Sequence, residues 1–177
     1  TAGDGNWNST TVNAPWPGGV VPSSLDNVQI RPGDDVTVTA NATINSITFL
    51  NTSNTTRTFT VNSGVILTVS GISGNITLQN ANSGNTAATI AGTGTINCTT
   101  VTVGGTNTAT TNDGVTTLTS TISTFSISGN LFINAEDNGA FENDAIFSLS
   151  TGTVTVAGTV VLDSDTDDND ADATFTM

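Results

Sequence analysis

Ten of the fifteen acidic residues fall between Glu136 and Asp172. Six form one run, Asp163, Asp165, Asp167, Asp168, Asp170 and Asp172. Carboxylates at alternating positions offer hard oxygen ligands, and Ca²⁺ takes six to eight of them. These six are the candidate metal residues, with calcium as the ion. The run departs from an EF-hand loop: Asp168 stands where a Gly gives the sharp turn, and no Glu closes the loop at its twelfth position. The competing reading is a solvated acidic turn that keeps a sparsely charged protein soluble. The run follows the apolar stretch Val160-Val161-Leu162, and Glu136 and Asp137 follow Leu131-Phe132-Ile133, 29 residues earlier. Both acidic segments should therefore leave the fold at one corner.

Other chemistry finds few residues to work with. His and Lys are absent, so no Ser-His or Cys-His nucleophile can form. Zinc lacks its usual ligands. The only cations are Arg31 and Arg57, which could share a face as the basic pair of a polysaccharide lyase. A hydrolase would need two carboxylates across one bond, whereas the acids cluster in loops. The expectation is that the chain is not an enzyme. The lone Cys98 permits no intramolecular disulfide and reads as a small buried residue. A net charge of −13 argues against nucleic acid, whose phosphates call for clustered Lys and Arg. No apolar run reaches the roughly 20 residues of a membrane helix.

The elements that must position these groups are strands. Thr, Val and Ile favour extended backbone, while Asn, Gly and Ser favour turns. Val38, Leu67, Ile96, Phe125 and Val154 recur every 29 residues, and Ala40, Val69, Cys98, Ile127 and Val156 follow two places on. A small column runs Ala42, Gly71, Thr100, Gly129, Gly158. Ile44, Leu131 and Val160 share the register, as do Phe49 with Leu78 and Val61 with Ile90. Polar residues alternate with these, which places one face inward and one outward. A coil of this length holds three short strands and three turns. Repeated coils bury one another's apolar faces, as no single coil can. A sandwich has no reason to repeat at this period. The fold expected is all-β, a right-handed parallel β-solenoid (β-helix) of about five coils of about 29 residues.

The outward positions beside the core run Thr37/Thr39, Ile66/Thr68, Thr95/Asn97, Thr124/Ser126 and Thr153/Thr155. Such a Thr-x-Thr face is similar to those of ice-binding solenoids, although Thr is also the ordinary outward residue of a strand.

Residues 1–27 stand outside the repeat and carry Trp7, Trp16, Pro15, Pro17 and Pro22. An end coil exposes its core and its strand edges, so this segment is expected to cap the solenoid formed by residues 28–177. The alternative for the two indoles is a platform on which sugars stack. Asp4-Gly5-Asn6-Trp7, Pro17-Gly18-Gly19-Val20-Val21-Pro22, Asp26-Asn27-Val28-Gln29-Ile30 and Gly33-Asp34-Asp35-Val36-Thr37-Val38 together resemble the opening of secreted β-solenoid surface proteins of the Bacteroidetes, exported by the type IX system. The resemblance implies an adhesin or surface fibre and carries no catalytic residues with it. At the other end Asp144-Ala145-Ile146-Phe147 resembles Asp172-Ala173-Thr174-Phe175, and the coil is expected to continue in a longer parent chain. The expected function is a structural or adhesive cell-surface filament protein. Its partners would be further coils of the same chain, other copies, or glycans and surfaces, with no nucleic acid and no membrane insertion. Its location would be extracellular. Ice binding and a polysaccharide-acting β-helix enzyme are the alternatives.

Overall fold

A computed structural model describes residues 3–50, 56–71, 74–79, 84–105, 114–137, 142–164 and 171–177. The chain is a right-handed parallel β-solenoid of about five coils of about 29 residues. Its strands, numbered β1–β19 along the chain, form three sheets. Sheet 1 holds β1 (Gly5–Asn6), β3 (Val36–Val38), β6 (Thr58–Val61), β9 (Thr86–Gly92), β12 (Gly114–Ser120), β16 (Glu142–Leu149) and β19 (Ala173–Thr176). Sheet 2 holds β4 (Ala42–Ile44), β7 (Ile66–Val69), β10 (Thr95–Cys98), β13 (Thr124–Ile127) and β17 (Thr153–Val156). Sheet 3 holds β2 (Asn27–Ile30), β5 (Ser46–Phe49), β8 (Asn75–Leu78), β11 (Thr100–Gly104), β14 (Leu131–Asn134) and β18 (Val160–Asp163). One short strand, β15 (Glu136–Asp137), lies antiparallel to the start of β16.

Alternation decides which side chains enter the core. In β7, Leu67 and Val69 are buried while Ile66 is exposed; in β13, Phe125 and Ile127 are buried between half-exposed neighbours. Residues from all three sheets merge into one apolar column. Each buried aliphatic or aromatic side chain contributes about 1.5–3 kcal/mol, and stacking is what removes it from water.

The 29-residue register holds over successive coils in sheet 2 and only between single pairs of coils in the other sheets. Ile66, Thr95, Thr124 and Thr153 pair in succession in sheet 2. Above them the spacing changes. Leu67 faces Ala42, not Val38, and Val69 faces Ile44, not Ala40. Val38 belongs to sheet 1 and pairs with Val61. Val61 in turn faces Gly92, while Ile90 faces Phe59. Thr100 faces Asn75 and not Gly71. Leu131 with Val160 and Phe49 with Leu78 hold as expected, but Ile44 lies in another sheet. The physical reason is turn length. The links from sheet 1 to sheet 2 span two to four residues, whereas those from sheet 3 to sheet 1 span five to nine and those from sheet 2 to sheet 3 one to five. Length changes at these two corners shift the sequence period without breaking the ladder.

The small residues at Gly71 and Gly158 have a cause other than backbone freedom. A Cβ on Gly71 would strike the side chain of Asn45, and one on Gly158 would meet Asn130 and the Gly129 carbonyl of the coil above. The corner is tight between coils.

The two ends differ. Trp7 is 0% exposed, with its ring edge-on to Trp16 at 4.8 Å and to Phe59 at 6.1 Å between centroids. At the opposite end the inward-facing Val160 and Leu162 are 37% and 48% exposed. No helix among the described residues is long and apolar enough to cross a membrane.

Candidate functional site

Of the six candidate metal residues, Asp163 and Asp172 are described, and Asp165, Asp167, Asp168 and Asp170 lie outside the described residues. Asp163 ends β18, beside Asn134 of the coil above. Asp172 precedes β19, and its N–H donates to Asp144 Oδ1 at 2.9 Å. Ser164 Oγ accepts from the N–H of Ala173 at 3.0 Å, which ties the two feet of the acidic loop together. Glu136 and Asp137 pair with Asn143 and Glu142 one level above that loop. Both acidic segments thus leave at the corner from sheet 3 to sheet 1. Among the described residues no three acids, His or Cys stand close enough to hold a metal.

The two arginines do not form a basic pair. Arg31 is exposed at its side chain and donates through Nε to Asp34 Oδ2 at 2.9 Å. Arg57 is 1% exposed. It donates through Nη1 to the Leu50 carbonyl and, at 3.5 Å, to that of Ile30, and through Nε to that of Ala87 at 3.3 Å. Desolvation lowers its pKa to about 10, opposed by the charge of Asp34, so it stays charged at neutral pH. One guanidinium thereby ties the ends of β2 and β5 to β9. Its position is structural and gives no surface for a substrate.

Cys98 lies in the floor of an open trough of about 440 Å³ along the edge of sheet 2, walled by Thr68, Asn97, Ser126 and Thr155. Burial raises its thiol to about 12. The outward ranks of sheet 2 are Thr43, Thr68, Asn97, Ser126, Thr155 and Ile66, Thr95, Thr124, Thr153. Thr37 is not among them, because it pairs with Thr60 in sheet 1. The Trp7 and Trp16 rings are packed on each other and buried, so they offer no open stacking platform.

A polar concavity of about 470 Å³ lies on the outer face of sheet 3 in the upper coils, lined by Asn27, Gln29, Asn45, Ser46, Thr48, Asn75 and Thr77. Ladder pairing places Gln29, Thr48 and Thr77 in one rank, with Asn27 beside Ser46 in the next. Asn27 Oδ1 accepts from Asn45 Nδ2 at 2.5 Å and from Ser46 Oγ at 2.7 Å. Further down the same face Thr102, Phe132 and Val161 follow, so it turns apolar.

Sequence reading missed the main task of the Asn and Asp residues. Asn41 Oδ1 accepts from the N–H of Ile66 at 2.8 Å, Asn85 from Val115 at 3.1 Å, and Asn130 from Thr159 at 2.9 Å. Asp4 accepts from Asp35 at 2.8 Å, and Asp35 from Thr58 at 2.7 Å. Each satisfies a backbone donor of the next coil where regular pairing begins, a donor otherwise left to water. The signal was present: Asp4, Asp35, Asn41 and Asn130 each immediately precede a strand. Comparison with family models, curated proteins and solved structures finds no match to this chain.

Proposed function

We propose that this chain is the rigid, non-enzymatic stalk of an adhesive or filament-forming protein displayed outside the cell. The observation that supports it most is the in-register parallel stack, in which each coil pairs the one before it in all three sheets. Val160 and Leu162 face inward beneath Leu131 and Ile133 of the coil above, continuing the core column into the last coil. The lower strands β17, β18 and β19 present edges that another coil of the same repeat would pair, as each coil pairs the one before it. Residues 1–27 act as the cap of the other end, where Trp7 and Trp16 leave no comparable apolar face. The likeness of the opening segment to type IX-exported surface proteins supports export, and an extracellular setting suits the low charge and Thr-rich surface.

The acidic loops would bind Ca²⁺ weakly, Asp163 and Asp172 at the feet of the run and Asp165, Asp167, Asp168 and Asp170 within it. Stacked like charges at the strand spacing of about 4.8 Å repel, and a cation between levels would relieve that. Extracellular modules work at about 10⁻⁴–10⁻³ M Ca²⁺. Electron microscopy of the native full-length protein on its cells, with and without a calcium chelator, tests both readings. Thin fibres are expected, and fewer or shorter fibres after chelation. Compact particles that form no fibre and adhere to nothing would overturn the stalk, and fibres indifferent to chelation would remove the calcium role.

A further inference from the structure

We propose that the upper coils of sheet 3 carry a binding site for a neutral oligosaccharide. The concavity lined by Asn27, Gln29, Asn45, Ser46, Thr48, Asn75 and Thr77 offers only amides and hydroxyls. Every one of these side chains can both donate and accept, which matches sugar hydroxyls, and none carries the positive charge that would favour a carboxylate or sulfate. Side chains two apart on a strand and one strand apart form a grid of about 6.7 by 4.8 Å. Such a grid presents a repeated polar pattern to a repeated ligand. The floor is fixed in advance, because Asn27 Oδ1 is held by Asn45 and Ser46. Asn45 is itself clamped, donating its N–H to the Asp26 carbonyl at 3.1 Å and accepting from the Gly71 N–H at 3.1 Å. Preorganised groups lose less freedom on binding.

A second observation carries the argument from polar surface to sugar. Asn27 and Gln29 also line a neighbouring notch of about 240 Å³ whose other walls include Pro17, Val20 and Pro22. Polar grid and mixed polar and apolar notch are therefore contiguous. A sugar ring has both characters, hydroxyls at its rim and C–H groups on its face. Asp26 closes the notch, its carboxylate held by the N–H and Oγ of Ser23 at 2.8 Å each, and those bonds lower its pKa. A negative charge there disfavours acidic glycans, as does the net charge of −13. A peptide is the weaker match, because peptide anchors are buried aromatics or Arg in deep apolar pockets. The volumes lie near the range of about 300–1,000 Å³ for ligand sites, so the ligand is short. Affinity at one open site would be low, and a stalk displayed in many copies supplies avidity.

The proposal rests on the adhesive reading. The test uses the 177-residue chain passed over immobilised dextran, mannan and chitin oligosaccharides, with polygalacturonate and a random-sequence peptide resin as comparisons. Retention on at least one neutral glycan is expected, with shifts of the Asn and Gln side-chain amide signals in solution. Thr48→Tyr, a good strand former that fills the concavity, and Gln29→Ala should each weaken retention by about tenfold or more. Thr124→Tyr on sheet 2 should leave it unchanged. Unaltered circular dichroism keeps each variant interpretable. No retention on any neutral glycan, retention indifferent to Thr48→Tyr, or retention only on polygalacturonate or peptide overturns the site. Beads coated with the chain separate the two readings. If native and Thr48→Tyr beads adhere equally to a glycan surface, the site is wrong and adhesion stands. If native chain binds the oligosaccharide but its beads adhere to nothing, adhesion is wrong.

Discussion

The upper and lower ends of the solenoid are built from the same kind of strand and meet solvent in opposite ways. At the top, Trp7 is buried against Trp16 and Phe59, and Phe59 packs on Phe49 at 6.1 Å. Trp16 Nε1 donates to the Trp7 carbonyl at 2.5 Å, which locks the pair. At the bottom, Phe147 packs on Phe175 at 5.6 Å, but the coil that holds Phe175 has nothing beneath it among the described residues. A solenoid core is worth its burial only where a neighbour lies on each side. The comparison teaches that position along the stack, more than residue type, sets what a side chain contributes.

Matched substitutions make that comparison measurable. The largest effect is expected for Trp7→Ala, about 3–5 kcal/mol of lost stability by denaturant unfolding. Next comes Ile133→Ala, inside the stack, at about 2–5 kcal/mol. Leu162 pairs with Ile133 one coil below, yet Leu162→Ala should cost under about 1 kcal/mol, since its side chain is already half in water. Equal costs for Ile133 and Leu162 would show that the lower end is covered in solution. Arg57→Ala strips donors from the carbonyls of Ile30, Leu50 and Ala87 and should cost at least about 2 kcal/mol. Arg57→Lys should not restore this, because one ammonium lacks the planar fork. Asn130→Ala should cost about 1 kcal/mol through the lost bond from Thr159.

How far these features can be read from sequence depends on the sheet. In sheet 2, Leu67, Ile96, Phe125 and Val154 stack at the spacing seen in the chain. Short links enforce that period, so fold class and coil length were legible. Sheets 1 and 3 meet at the corner with long links, and there Val38 and Val61 were assigned to false partners. A one-dimensional period cannot show which of three faces absorbs an insertion. The acidic segments were placed at the right corner because Leu131 and Val160 do pair. The polar concavity was hidden for a related reason. Asn27 and Ser46 are 19 residues apart, and Thr48 and Thr77 are 29 apart, so no single period gathers them. From sequence, Arg57 reads only as a residue that could share a face with Arg31. Burial of Arg57 follows from carbonyls at or beside three strands, β2, β5 and β9, that only the fold brings together.

The smallest effect tests the middle of the stack against its open end. Cys98 sits in β10, with β7 above it and β13 below. Burial holds its thiol at about 12, against 9.0 for a free one. Thiolate is the reactive form, so alkylation of native Cys98 at pH 8 should be slow and should accelerate on unfolding. In Cys98→Ala/Leu162→Cys, the new thiol at the open end should react at a rate near that of the unfolded chain. The same shift predicts a pH dependence. Between about pH 9 and 12 the unfolded chain has lost the Cys98 proton while the folded chain keeps it. The folded state then binds more protons, so stability falls as pH rises through that window and is unaffected by this group below it. Cys98→Ala should remove that part of the alkaline slope. Rapid labelling of native Cys98 at pH 8 would mean that the coils separate in the middle as readily as at the end, and that the stack is held mainly by its cap.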